Sequence, residues 1–339
     1  MSRTQAQAAS AHTDPVSAVV SDLLAPIAGE LQEFERRLEA SVAADLGPMA
    51  EAMDHIVRAG GKRLRPALVL LAGQLGTSDP EHGYSLAMGL EFIHTATLVH
   101  DDLIDNATTR RGIATIHTAM GAPPAIIIGD YYFAKGAHLL ASIGEPSIDA
   151  AISRTVMTIC LGELLQMDSK CDYDQSVDDY YRKIERKTAT LLATCCFCAG
   201  VVGRLDERRR GALQRYGHLL GMAFQIADDV LDYVATEEQL GKPVAADLRQ
   251  GTVTLPFMLA LQDPAVSGEL RNVIGGAPLA EDDYQQIVEL VRSSRGVSAA
   301  EAQAHDFANR AREKLAVFDE SPARRTLEAI CDYVVARRV

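Results

Sequence analysis

Apolar side chains recur along the chain at steps of three and four residues, the period of a helix with one buried face. Leu219, Met222, Ala223, Ile226, Val230 and Val234 form the clearest run. Local start signals agree. Ser176 with Asp179, and Ser298 with Glu301, have the spacing of a capping box, the second pair ahead of an alanine-rich stretch. Pro66 suits the first turn of a helix continued by Leu68, Leu71 and Leu75, with Gly76 able to end it. Strand signals are scarce, since no hairpin dipeptides flank alternating apolar runs. No repeat of solenoid period and no long linker breaks the pattern. Residues 1–17 (MSRTQAQAASAHTDPVS) are small and polar and read as a mobile N-terminal tail. The expected architecture is all-α: ten or more helices around one core, in a single domain over residues 18–339.

Composition sets limits on partners. Apolar residues make up 47% of the 339, enough for a sizeable core. The formal net charge is −13. A surface this acidic repels phosphate backbones, which argues against nucleic acid as a partner. An anionic small ligand would need local basic clusters or bound cations. The six cysteines contain no CxxC pair, so a zinc site has weak support. Cys195, Cys196 and Cys198 sit in the apolar run LLATCCFCAG and read as buried small hydrophobes in a reducing compartment. The first residues lack the apolar region of a secretory signal, and no stretch reaches the roughly 18 apolar residues of a membrane span. A cytoplasmic location is expected.

Two acidic clusters change the picture. LVHDDLIDNATTRRG carries Asp101, Asp102 and Asp105, and FQIADDVLDY carries Asp228, Asp229 and Asp232. Both read DDxxD. On a helix, residues i and i+4 share a face, so Asp101 and Asp105 point one way, as do Asp228 and Asp232. Like charges at that spacing cost an isolated helix about 0.2–0.5 kcal/mol. Both clusters are set in apolar sequence, so the carboxylates need positive charge close by. Hard oxygen ligands on a rigid element suit Mg²⁺, which keeps several waters and also binds substrate phosphates. A single DDxxD in an acidic protein reads equally well as a solvated face. The repeat of the spacing, with His94 and Thr97 before one copy and Gln225 before the other, favours a cage for cations and a diphosphate. Basic residues complete the pattern. AGGKRLRP puts Lys62, Arg63 and Arg65 at a loop-to-helix junction, where free N–H groups and the helix dipole add to their charge. Arg110 and Arg111 close the first acidic motif, and Lys187, Thr188 and Lys242 supply further donors.

At these residues the chain resembles the trans-isoprenyl diphosphate synthase (polyprenyl synthetase) family. GGKRLRP, the arginine-terminated DDxxD, KTA, and FQxxDDxLD followed by GKPxxxDL carry the resemblance, strongest from about residue 50 to 260. The resemblance implies a helical bundle around a deep central cavity, and a homodimer. It implies that Asp101 and Asp105 bind two magnesium ions on an allylic diphosphate. Asp228 would bind a third, with Asp232 in support and Asp102 and Asp229 completing the motifs. Arg110, Lys187 and Lys242 resemble the contacts to the allylic diphosphate, and Lys62, Arg65, His94 and Arg111 the isopentenyl diphosphate site. Thr188 and Gln225 resemble the polar pair that stabilises the developing allylic cation. One position departs from a common form of the pattern: DLRQGTVTLP has Thr252 where many relatives have lysine, which removes a possible phosphate contact; longer-product members often lack this lysine too.

The implied reaction is ionisation of the allylic diphosphate, attack by the double bond of isopentenyl diphosphate, and loss of a proton to the released diphosphate. No GxSxG or Cys/His signature offers a side-chain nucleophile. Repeated addition would give a medium- or long-chain all-trans product. Early-stopping relatives often place a bulky aromatic four or five residues before the first motif; here those residues are Thr97 and Ala96, with Ile93 further down. GDYYFAKG, and the lack of two extra residues inside the first DDxxD, also resemble longer-product members. A deeper floor, from residues such as Met157 or Phe133, would instead give a farnesyl or geranylgeranyl diphosphate synthase. Two other classes fit less well. A class I terpene cyclase usually has an asparagine/serine/glutamate metal motif on the second helix, and a non-catalytic synthase subunit typically lacks some of these six aspartates.

Overall fold

Caps and apolar stripes make helix of almost every segment. The computed structural model of the protein describes residues 15–45, 47, 63–110, 112–237, 243–276 and 278–336. In chain order the helices are α1 (Pro15–Leu24), α2 (Ala28–Ala43), α3 (Leu64–Gly73) and α4 (Pro80–Ile104). Next come α5 (Ile116–Met120), α6 (Ala122–Ala141), α7 (Pro146–Asp168) and α8 (Val177–Ile184). A π-helical turn, Glu185–Ala189, leads into α9 (Thr190–Val202), and α10 (Glu207–Val234) follows. The chain ends with α11 (Ala246–Arg249), α12 (Leu255–Ala260), α13 (Ser267–Ile274), α14 (Glu281–Ser293), α15 (Gly296–Lys314) and α16 (Pro322–Ala336). Among the described residues the only sheet is a two-residue antiparallel pair, Thr109–Arg110 with Ile113–Ala114, just after the first acidic motif.

Several local expectations are met and some move. Ser176 and Asp179 form a capping box at the head of α8. Ser298 does not cap α15, which begins earlier, at Gly296. Two upstream side chains take up backbone donors there: Ser294 Oγ accepts the Gly296 N–H at 2.9 Å and Asp263 accepts the Arg295 N–H at 2.9 Å. Ser298 is left inside the first turn, donating to Arg295 O. Pro66 lies in the first turn of α3 as expected, but that helix ends at Gly73, before Leu75 and Gly76. Of the expected tail, residues 15–17 belong to α1 and residues 1–14 lie outside the described residues.

The single expected core is two lobes. One packs α2, α3, α4, α6, α9 and the first half of α10; the other packs α8, the second half of α10, α12, α14 and α15. The long α10 joins them. Cys195, Cys196 and Cys198 are buried in the first lobe, as their apolar run suggested, and burial pushes the Cys195 thiol up to about 12. No helix among the described residues is long and apolar enough to cross a membrane.

Candidate active site

The first acidic motif occupies the last turn of α4. Successive helical side chains diverge by about 100°, so Asp102 cannot share the direction of Asp101 and Asp105. It is buried and takes both oxygens to Arg110, with Nε at 2.8 and 2.9 Å and Nη2 at 2.7 Å. Asp102 therefore ties the short β arm to α4. Asp101 and Asp105 face the other way. Burial pushes the Asp101 carboxyl up to about 6, against the pull of Lys187 and with added pressure from Glu163 and Asp105. Asp105 is raised for the same reasons, burial first.

Lys187 and Thr188 reach this region from the π-helical turn between α8 and α9. An extra residue in a helical turn re-aims the side chains it carries, and such turns are frequent at functional sites. Close backbone approach holds the turn on two sides. A Cβ at Gly221 of α10 would lie 2.5 Å from Ala189 Cα, and one at Gly162 of α7 would lie 3.0 Å from Lys187 N. The Lys187 ammonium sits 2.6 Å from Glu163 Oε2 of α7. Burial opposes its charge, but Asp101, Glu163 and Asp105 outweigh that and raise its pKa.

The second motif occupies the last two turns of α10. Thr188 Oγ1 donates to Gln225 Oε1 at 2.7 Å, and Gln225 Nε2 donates to Asp229 Oδ1 at 2.8 Å. The Tyr180 hydroxyl donates to Asp229 Oδ2 at 2.6 Å. Asp229 is buried, and burial together with Asp247 raises its pKa well above the carboxylate range. Asp232 is buried too, and accepts the Asp247 N–H at 3.1 Å. Asp105, Lys187, Thr188, Gln225 and Asp229 line one cavity of about 190 Å³, together with Gln166, Lys183, Asp247 and Thr252.

Arg65 approaches from α3. Burial lowers its pKa, while Glu91 and Asp228 are the nearest carboxylates favouring its charge. Arg63 is occupied structurally instead. It bridges Glu35 of α2 at 2.5 Å and Glu91 of α4 at 3.1 Å, with its backbone at φ +47. His94 lies on α4 two turns before Asp101 and is half-buried. Lys62, Arg111 and Lys242 lie outside the described residues. Sequence reasoning missed Glu163, Lys183 and Tyr180. Glu163 had a signal, as one acid between Leu161, Leu164 and Leu165.

No group of three or more His, Cys, Asp or Glu side chains converges on one point among the described residues. That arrangement still fits Mg²⁺, which is commonly held by one or two carboxylates plus substrate phosphates. The crowding of Asp101, Asp105 and Glu163, and the raised proton affinity of the two aspartates, are what a cation would relieve. Below Asp101, Thr97 is half-buried and donates to His94 O at 2.8 Å. Ala96 is fully buried, on the α4 stripe of Gly89, Ile93 and His100 that packs against α6. Met157 is 66% exposed on the outer face of α7, which does not suit it as a floor within this chain.

The family model described as Polyprenyl synthetase matches residues 48–291. The chain is 38% identical over 309 residues to heptaprenyl diphosphate synthase component 2 of Bacillus subtilis, covering 91% of this chain and 88% of that one. A polyprenyl synthase from Caulobacter crescentus CB15, solved with calcium and isoprenyl diphosphate, superposes with a TM-score of 0.88 at 34% identity, over 94% of this chain and 98% of the other. Heptaprenyl diphosphate synthase from Staphylococcus aureus gives 0.87 at 31% identity, over 92% and 98%.

Proposed function

The chain belongs to the polyprenyl synthetase family, and from that premise we propose that the pocket between α4, α7, α8 and α10 condenses isopentenyl diphosphate with an allylic diphosphate, repeatedly, to a medium- or long-chain all-trans product. The enzyme class is trans-prenyltransferase. The observation that carries the reading is the cavity where Lys187, Thr188, Gln225, Asp105 and Asp229 meet. Asp101 and Asp105 hold divalent cations from one wall, and Asp228, supported by Asp232, from the other. Three Mg²⁺ ions per site are the proposed number, and when bound they supply positive charge to the leaving diphosphate. Lys187 adds a fixed charge at the same place, with Arg110 and Lys242 as further contacts. Its pairing with Glu163 and its rigid π turn keep it oriented before substrate arrives, which is how preorganised charge lowers a barrier.

The polar line Thr188–Gln225–Asp229 turns two side-chain dipoles into the cavity beside the ionising carbon. Asp229 and Tyr180 fix the Gln225 amide so that its carbonyl oxygen faces Thr188 and the pocket. Lys62, Arg65, His94 and Arg111 form the isopentenyl diphosphate site. Arg65, near Asp228, answers to the second motif and Lys187 to the first. Two basic sites imply separable kinetics. With labelled isopentenyl diphosphate and farnesyl diphosphate in Mg²⁺, Arg65→Ala is expected to raise the KM for isopentenyl diphosphate about ten-fold or more. Lys187→Ala is expected to act mainly on use of the allylic substrate, by a similar factor, since each loses a charge-assisted hydrogen bond. Equal effects on both substrates would argue for one merged site, and no elongated product at all would reject the activity.

A homodimer is also proposed. Met157, Leu161, Leu164 and Leu165 form an exposed stripe along α7, and Ile126, Ile127 and Tyr131 are exposed on α6. An apolar patch of this kind on a soluble protein usually marks an interface. A second copy can bury it symmetrically, as most homo-oligomers do. Sedimentation of the purified chain is expected to give a dimer, and Leu161→Glu with Leu164→Glu a monomer. A wild-type monomer would point instead to a different partner chain.

A further inference from the structure

Lys183 stands in the last turn of α8, 5% exposed, and lines the same cavity as Lys187, Asp229 and Thr252. A buried ammonium normally has a carboxylate within reach. Among the described residues Lys183 has no ion pair, and its one hydrogen bond goes to a neutral acceptor, Gln175 Oε1, at 3.2 Å. The two oxygens of Asp229 are engaged by Tyr180 and Gln225. Asp229, Asp247 and Asp172 favour its charge from a distance, while burial and Lys187 oppose it and lower its pKa. An ammonium has three donors, so two remain for something in the cavity.

The position of this charge is informative. Gln175, which accepts from Lys183, donates from Nε2 to Val253 O at 3.4 Å and to Asp172 O at 3.3 Å. That carboxamide links the Lys183 ammonium to the Val253 carbonyl, beside Thr252. Thr252 lines the cavity but brings no charge to it. We propose that Lys183 is a further diphosphate-binding residue, supplying positive charge to the cavity from α8. The inference rests on the reading of the cavity as the allylic diphosphate site. It adds a residue to the site.

Inorganic pyrophosphate with Mg²⁺ is the probe, titrated calorimetrically into wild type, Lys183→Gln, Thr252→Lys and the double variant. Lys183→Gln is expected to weaken pyrophosphate roughly ten-fold, the scale of one charge-assisted hydrogen bond. It should raise the KM for the allylic substrate and leave that for isopentenyl diphosphate nearly unchanged. Thr252→Lys alone should add little, while Thr252→Lys on Lys183→Gln should recover most of the lost affinity, because both positions line the same cavity. A Lys183 that served only the fold would lower Tm without a loss of pyrophosphate binding that Thr252→Lys can recover. Lys183→Met, of similar volume, gives the same comparison if Lys183→Gln does not fold. Unchanged pyrophosphate affinity in Lys183→Gln, or no recovery in the double variant, would overturn the proposal. Failure of wild type to bind pyrophosphate would overturn the diphosphate reading of the cavity itself.

Discussion

Asp101→Asn is expected to reduce turnover on the order of 10³-fold and, in the absence of metal, to make the protein more stable at pH 8. The two effects have one source. Asp101 sits among Asp105, Glu163 and buried surface, and its pKa is pushed up to about 6. Its unfolded value is about 3.9. A carboxyl whose folded pKa is raised contributes fully to stability below the unfolded value and loses that contribution as pH rises through the folded value. Ionised Asp101 is thus a burden on the metal-free fold above about pH 6, and the neutral amide removes it. The gain at pH 8 is about 1–3 kcal/mol, and it should vanish near pH 4. Turnover goes the other way, since a neutral amide cannot hold a cation against a diphosphate as a carboxylate does. Asp228→Asn should lose turnover on the same scale. Thermal melts from pH 4 to 8 in chelator, beside assays in Mg²⁺, measure both effects. Near wild-type turnover would sink the cation-cage assignment, and lower stability of Asp101→Asn at pH 8 would sink the electrostatic account.

The fold was legible because its dominant signal is local. A 3.6-residue apolar period and a capping box at Ser176 depend only on near neighbours, and both are present in the structure. The misplaced start of α15 had a distant cause. Asp263, from the turn after α12, takes the Arg295 N–H, and no sequence window spans that contact. The split of the core into two lobes is likewise a property of how α10 is flanked on its two halves.

The candidate site divides in the same way. The two DDxxD clusters stood out because like charges were repeated inside apolar sequence. Their unequal use did not: Asp102 and Asp229 are engaged by Arg110, Tyr180 and Gln225, and that pairing depends on tertiary direction. Thr188 and Gln225 were expected together and are joined by a hydrogen bond. The π turn that carries Lys187 and Thr188 has no sequence cue in ERKTA; Gly162 and Gly221, which let α7 and α10 approach its backbone, are distant in sequence. Lys183 was hidden in DDYYRKIERK, where charge is so dense that nothing marks which side chain turns inward.

Thr97→Phe is expected to shorten the product. Asp101 and Thr97 are four residues apart on α4, so Thr97 lies one turn, about 6 Å, below the first acidic motif and about 40° around from it. It is half-buried, with a small side chain bonded to its own helix. No aromatic stands there to stop a growing chain. The small side chain at Thr97, with no aromatic there, is what supports growth along α4 to a medium or long product. Ala96, the other small residue before the motif, is a less informative position. It is 0% exposed, and a ring there would cost about 1–3 kcal/mol in packing strain, so a lost fold and a shortened chain would be confused. Thr97 is half-buried, so a ring there is tolerated by the fold and would stand in the way of a chain growing down α4. Chromatography of dephosphorylated products should give medium- or long-chain alcohols from wild type and farnesyl- or geranylgeranyl-length alcohols from Thr97→Phe. A wild-type enzyme that itself stops at geranylgeranyl length would refute the product assignment. A folded Thr97→Phe variant with wild-type products would place the growing chain on another face of α4.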